Sequence, residues 1–308
     1  MNSDRIAEEY PFVTVIIPVY NAEAEIDGLL KALNGQSYPA HRVEILIIDN
    51  GSKDRTCEKL RIYSETCKYA LRMLEEKDVR SSYAARNHGL LAAKGEIIAF
   101  TDADCRPVPE WIAEGVRCLR ETEADLVGGS VKFTFRSSRP NAAEWIDSTT
   151  NMQMEADIRD RGVTKTANLF VAGRVFEQVG SFRSDIQSGG DVAWTAGATA
   201  AGFKLLYAPS AIVYHPSRGW LELFAKQVRV GRGQAALSRG LRGAPGGRAA
   251  VSSSTGRGWQ RIFAGGQDLG RPSSIKLVAA VLWVGSALVL GRITGSFRTF
   301  RKGGTVWA

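Results

Sequence analysis

Two carboxylates one residue apart, in Thr101-Asp-Ala-Asp104, are the first feature of this 308-residue chain that could do chemistry. They follow the apolar run Ile97 to Phe100, which reads as a buried strand. Along an extended segment, residues i and i+2 point the same way, about 6–7 Å apart. Oxygen ligands so placed suit a hard divalent cation, Mg²⁺ or Mn²⁺, shared with a phosphate. Standing alone, the same residues equally describe a capped turn leading into a helix after Pro109.

A sheet must lie beneath such a pair. Val13 to Ile17, halted by Pro18, and Glu44 to Ile48, halted by Asp49, are continuous apolar runs that suit strands buried on both faces. Between them Ile26, Leu29, Leu30 and Leu33 recur at helical spacing and make one apolar face. A helix from about Arg55, a strand at Leu71 to Leu74 and a helix from Ser81 to Ala93 continue the alternation. Such a β-α-β series implies an α/β fold with a doubly wound, mainly parallel sheet whose ligands bind at the strand C-termini. The segments to read are therefore 18–21, 49–54 and 101–104. Farther on, a helix carries Trp111, Val116 and Leu119, a long strand runs from Asp125 to Phe135, and 142–160 reads as a polar helical excursion. A helix over Val175 to Val179 and two strands near Lys204 to Tyr207 and Ala211 to Tyr214 follow.

The stretches Val15-Ile-Ile-Pro-Val-Tyr-Asn21, Ile47-Ile-Asp-Asn-Gly-Ser-Lys-Asp-Arg-Thr56, Ala85-Arg-Asn-His-Gly-Leu90 and Phe100-Thr-Asp-Ala-Asp104 come in this order. Together they closely resemble the family 2 glycosyltransferases of GT-A fold, over about residues 12–216. The resemblance implies that the Asp102/Asp104 pair binds metal, Mn²⁺ or Mg²⁺, and the donor diphosphate. It implies that Pro18, Tyr20 and Asn21 flank the base and ribose of a nucleotide-sugar donor, that Asp49 and Asn50 meet the base edge, and that Arg86 lies near ribose or phosphates. The family commonly has Asp-Asp where this chain has Asp49-Asn50. An amide donates as well as accepts, so UDP is the expected donor nucleotide with GDP or dTDP open.

Ala167-Asn-Leu-Phe-Val-Ala-Gly173 and Val179-Gly-Ser-Phe182 resemble the family's acceptor-side segment and lead to Ser188-Gly-Gly-Asp191. The likeness places the catalytic base at Asp191, with Asp185 as a rival across the Gly-rich loop. His215, in Tyr-His-Pro216, corresponds to a third metal ligand in some relatives; imidazole suits Mn²⁺ better than Mg²⁺. The bland alternative for His215 is a turn-capping side chain.

Charge divides the chain. Residues 1–215 hold 25 Lys and Arg against 30 Asp and Glu, whereas 216–308 hold 15 against 2, so an acidic catalytic part near −5 precedes a tail near +13. The net +8 is thus poor ground for a nucleic-acid partner, and none is expected. Within 217–242, Trp220, Phe224 and Val228 at i, i+4, i+8 beside Lys226, Arg229 and Arg232 suggest a basic amphipathic helix for an anionic membrane surface, or else one packed on the domain. A Gly/Ser/Arg-rich linker over 243–274 and an apolar helix with a basic end over 275–308 complete the division. The uncharged run Leu277 to Gly291 spans about 22 Å as a helix, short of the ~30 Å hydrocarbon core, so a marginal span and an interfacial helix are both open. Cys57, Cys67, Cys105 and Cys118 show neither metal nor disulfide spacing, and no secretory signal is visible, so the catalytic part is expected at the cytoplasmic face of the membrane.

The expectation is an inverting, metal-dependent glycosyltransferase that moves a sugar to a hydroxyl of a glycan or polyprenyl-linked acceptor, in cell-surface polysaccharide or glycolipid synthesis. A catalytically inactive GT-A-like module scaffolding partners through its basic tail is the alternative. Retention of Asp102, Asp104, Asp191 and His215 speaks against it.

Overall fold

A computed structural model describes residues 10–240, 261–263 and 272–297. The elements run β1 (Val13–Val19), α1 (Ile26–Asn34), β2 (Val43–Asp49), α2 (Thr56–Ser64), β3 (Ala70–Glu75), α3 (Ser82–Ala92), β4 (Ile97–Thr101), β5 (Arg106–Pro107) and α4 (Trp111–Glu121). There follow β6 (Leu126–Thr134), α5 (Ala142–Thr150), α6 (Met154–Arg161), β7 (Asn168–Ala172), α7 (Arg174–Val179), α8 (Gly190–Ala200), β8 (Leu205–Pro216), α9 (Trp220–Gly240) and α10 (Ser274–Phe297).

The strands form one sheet in the order β3-β2-β1-β4-β7-β6-β8-β5. β1, β2, β3 and β4 run parallel, while β7 is antiparallel to β4 and to β6. The continuous apolar runs are explained by burial on both faces. Val13, Val15 and Ile17 pack with Leu29, Leu33 and Trp111 of α1 and α4; Ile16, Leu46 and Ile48 pack with Tyr83 and Trp194 of α3 and α8. β1 outlasts its expected stop, pairing Pro18 with Ile48 and Val19 with Asp49, because a proline near a strand end removes only one donor.

The two strands expected around 204–214 are one, β8, paired with β6 through a register shift between Gly129 and Ser130. Asn168 fills that irregularity. Its amide donates to the Ser130 and Ala211 carbonyls at 2.9 and 2.8 Å and its Oδ1 accepts from the Trp111 indole at 2.8 Å. The expected helical excursion over 142–160 is two helices, but its first is not polar surface, since Ala142 to Asp147 of α5 are all buried. Ala142, Ala143, Trp145 and Ile146 form a separate small core with Leu223, Ile262, Leu277 and Val281.

That core gathers the C-terminal helices onto the domain. α10 has 24 residues, about 36 Å, and runs past Lys276 and Arg292, so the 22 Å expectation was too short. Among the described residues one helix, over Ser274–Gly295, is long and apolar enough to cross a membrane. In this structure it lies along α9. Phe224 and Trp220 meet the Trp283 ring at 4.7 and 5.3 Å, and a Cβ on Gly291 would stand 2.2 Å from the Val228 carbonyl oxygen. Of the two readings left open for the Trp220, Phe224, Val228 face, packing is the one seen: α10 lies against it, although Trp220 remains 40% exposed. On α10 itself Ile275, Val278, Leu282, Val289 and Ile293 are exposed along one apolar stripe. The expected linker 243–274 lies outside the described residues except at 261–263 and 272–274.

Candidate active site

The ends of β1, β2 and β4, with the starts of α3 and α8, open onto one cavity of about 940 Å³. Pro18, Tyr20, Asn21, Asn50, Arg86, Asp102, Asp104 and Asp191 line it, so most of the site residues expected from sequence come together. Asp49 is not among its lining residues. Its buried carboxylate accepts from the Gly51 and Ser52 amides at 3.1–3.2 Å and so shapes the loop that presents Asn50. Asn21 has a similar duty beside the cavity: at φ +48° it accepts from the Lys53 amide at 2.8 Å while its own amide donates to Ser52 Oγ at 2.8 Å.

Asn50 is fixed more tightly than its sequence suggests. Both amide hydrogens are engaged, donating to the Glu76 and Val79 carbonyls at 3.0 and 2.9 Å. Two carbonyl partners admit only one orientation of the amide, leaving Oδ1 as a pure acceptor. The donor character that set this position apart from a carboxylate is thereby consumed inside the fold. Arg80 lies over the Tyr20 ring, 5.6 Å from its centroid, at the same end of the cavity.

The Asp-x-Asp segment is a turn rather than an extended pair, since the Cys105 amide donates to the Asp102 carbonyl at 3.1 Å. The two carboxylates consequently part company. Asp102 Oδ1 accepts from Arg86 Nη2 at 2.5 Å, whereas Asp104 Oδ2 lies 3.4 Å from His215 Nε2. Arg86 is buried on α3, and its Nε has no hydrogen-bond partner.

His215 is wholly buried at the end of β8. Its Nδ1 lies 2.6 Å from the Pro216 carbonyl, which can only accept, and its Nε2 lies 3.1 Å from Arg218 Nη2, which can only donate. The ring is therefore the neutral Nδ1–H tautomer, its Nε2 lone pair accepting from Arg218 while Asp104 Oδ2 lies 3.4 Å away. Burial depresses its proton affinity, outweighing the pull of Asp104, and Arg218 adds to the depression. A neutral imidazole lone pair beside a carboxylate is a donor set that fits Mn²⁺. Among the described residues, no three or more His, Cys, Asp or Glu converge closely enough to hold a metal ion; Asp102, turned to Arg86, is the expected ligand that stands apart.

Asp191 opens α8 after Gly189, whose φ of +84° makes the turn. Its Oδ1 accepts from the Tyr83 hydroxyl at 3.1 Å and from the Val192 amide at 2.9 Å, and its Oδ2 accepts only a long bond from the Thr166 amide at 3.3 Å. Burial, reinforced by the Asp191 charge, pushes the Tyr83 phenol far above its ordinary range, so it stays a donor. Oδ2 is the oxygen left to take a proton. The rival Asp185 is mostly exposed, paired with Arg183 at 2.6 Å, and outside the cavity lining.

Sequence reasoning missed Tyr83 and Arg218, which carry no motif of their own. It assigned Lys226 and Arg229 to a membrane-facing helix, but both line the cavity. Lys226 donates to Asp147 Oδ1 at 3.2 Å, and Asp147, fully buried, also accepts from the Arg218 amide at 3.0 Å. Burial, then Arg218, pushes the Lys226 amine down to about 7.

The profile of Glycosyl transferase family 2 matches residues 14–178. The glycosyltransferase AglE of Haloferax volcanii is 48% identical over 224 residues, 73% of this chain and 73% of that protein. The chain belongs to glycosyl transferase family 2. This family 2 glycosyltransferase is also 32% identical, over 119 residues, to the dodecaprenyl-phosphate galacturonate synthase of Rhizobium johnstonii, covering 38% of this chain and 35% of that one. Its fold is that of the mannosyltransferase PcManGT from Pyrobaculum calidifontis, solved with GDP-Man and Mn²⁺: TM-score 0.60 at 22% identity, covering 94% of this chain and 84% of that one. The GT-A architecture expected from the motifs is the one observed.

Proposed function

We propose that this glycosyltransferase moves a hexose, with inversion, from a nucleoside-diphosphate donor to a hydroxyl of a glycan or polyprenyl-linked acceptor at the cytoplasmic face of a membrane. One observation carries the reading. A single cavity joins Asn50, Asp102, Asp104 and Asp191 to Val281, Val284 and Leu288 of the apolar helix α10, so polar transfer groups and a hydrocarbon-compatible wall share one space.

Within it, Asn50 Oδ1 receives an N–H from the base edge, which suits uracil, and guanine also offers such an edge; UDP is the first donor to try. Tyr20 and Pro18 flank the base and ribose, and Arg86 lies on the phosphate side. Asp104 and His215 would hold Mn²⁺ or Mg²⁺, joined by Asp102 on turning from Arg86, and the ion would supply positive charge to the leaving diphosphate. Asp191 takes the proton of the attacking hydroxyl at Oδ2 while Tyr83 holds Oδ1; general-base help of this kind is worth about 10²- to 10⁴-fold in rate.

Three comparisons support the reading by likeness: the relative named for dodecaprenyl phosphate, the neighbour holding GDP-Man with Mn²⁺, and the extensive match to AglE. The exposed stripe of α10 gives an interfacial helix its apolar face, and the four free cysteines suit a reducing compartment. A thermal-shift panel of nucleotide sugars with Mn²⁺ tests the donor side. One UDP- or GDP-sugar should raise Tm well above the others, because a ligand at 100 times its Kd stabilises by about 2.7 kcal/mol; no shift with any of them contradicts the reading.

A further inference from the structure

The His215 lone pair that a divalent cation would need already accepts from a guanidinium. Arg218, in the link between β8 and α9, lines the cavity. Its Nη2 lies 3.1 Å from His215 Nε2 and 3.9 Å from Asp104 Oδ2, and its Nη1 lies 3.4 Å from Asp147 Oδ2. One side chain thus bridges a wholly buried carboxylate and the two groups whose chemistry suits Mn²⁺. An imidazole lone pair accepts a hydrogen bond or binds a metal, but not both.

The groups around this guanidinium are held in place. The His215 ring is fixed by its Nδ1 bond to the Pro216 carbonyl at 2.6 Å and by the Phe133 ring, with centroids 5.6 Å apart, so Nε2 keeps its direction. Asp147 accepts from Lys226 at 3.2 Å and from the Arg218 amide at 3.0 Å, which also pins the main chain at position 218. Those two bonds keep the Asp147 carboxylate satisfied without the guanidinium. The Arg218 side chain, 19% exposed and on the cavity wall, is therefore the member of the group that can move.

We propose that Arg218 is a positioning residue that exchanges partners: it holds His215 Nε2 against a divalent cation until a nucleoside diphosphate offers the guanidinium a better anion. The proposal rests on the reading of the cavity as the donor site and of Asp104 and His215 as metal ligands. A planar guanidinium matches two phosphate oxygens at once, which neither the neutral imidazole nor Asp104 at 3.9 Å can equal. Arg218 thereby couples the two bindings, so that cation and diphosphate each tighten the other by the same factor.

Mn²⁺ binding to the full chain is measured from the electron paramagnetic resonance of the free ion, alone and with saturating UDP or GDP, for wild type, Arg218→Gln and Arg218→Lys, with thermal melts to confirm that each is folded. Lysine keeps a charge beside Asp147, but its single ammonium cannot span to His215 as well. Without nucleotide, both variants are expected to bind Mn²⁺ about tenfold more tightly than the wild type, the scale of one competing hydrogen bond. UDP or GDP then tightens Mn²⁺ less in the variants than in the wild type. Unchanged or weaker Mn²⁺ binding in the variants overturns the proposal, as does equal tightening by nucleotide in all three. A gain seen in Arg218→Gln alone overturns it too, because net charge rather than the lone pair would then be the cause. If wild type and variants alike bind no Mn²⁺, the metal reading of Asp104 and His215 falls together with the proposal, whereas each of the other contrary results removes the proposal only.

Discussion

The Tyr83 hydroxyl donates to Asp191 Oδ1 at 3.1 Å and so ties α3, beside the donor end of the cavity, to the first turn of α8. A phenol that burial holds protonated can only steer the carboxylate, never compete for its proton. Tyr83→Phe removes this bond and little else. A hydrogen bond to a charged group is worth about 1.5–3 kcal/mol, so kcat should fall about tenfold or more with the donor KM unchanged. Steady-state kinetics on the purified variant check both values together.

Asn50 offers a contrary test of the family's common residue. Asn50→Asp replaces an amide whose two hydrogens satisfy the Glu76 and Val79 carbonyls with a carboxylate that faces both without a donor. The loop then loses two bonds and gains repulsion. Donor affinity should drop about tenfold or more despite the nominal return to Asp-Asp, as calorimetry with the matched nucleotide would show.

Lys226 gives a pH signature. Its amine titrates at about 7 in the folded chain against an ordinary 10.5. Between those values the unfolded chain holds the extra proton, so the stability of the wild type gains with rising pH, while below about 7 the burial cost is present in full. Lys226→Met lacks this group. The wild-type Tm minus the variant Tm should therefore rise between pH 7 and pH 9 in thermal melts; a flat difference would deny the depressed amine.

The outward stripe of α10 should carry membrane attachment. Leu282 and Val289 are 68% and 52% exposed and do not line the cavity. The double variant Leu282→Glu, Val289→Glu should lose flotation with anionic vesicles while retaining donor hydrolysis in detergent.

Much of this was legible in the sequence, for identifiable reasons. Strands buried on both faces write themselves as unbroken apolar runs, so β1, β2 and β4 were readable with Asn50 and Asp104 at their ends, whereas Asp191, in the first turn of α8, came only from the family resemblance. The turn at Asp102 was not, because Asp-x-Asp fits an extended or a turned backbone equally, and only the Arg86 partner decides. Tyr83 and Arg218 act through contacts 108 and 3 positions away that carry no periodicity. The C-terminal helices were left open between two readings: Trp220, Phe224 and Val228 form a real apolar face, which lipid and a second helix would suit equally, and here α10 packs on it.

Metal-dependent transfer at Asp104 is the claim on which the rest depends. The direct measurement is sugar release or transfer from the nucleotide sugar identified by thermal shift, with Mn²⁺, with Mn²⁺ plus excess EDTA, and in Asp104→Ala. The account predicts turnover in the first case, its loss in the second with recovery on adding Mn²⁺ back, and loss in the variant by about a hundredfold or more, the scale of a lost transition-state charge contact. Undiminished turnover under EDTA or in Asp104→Ala would contradict it.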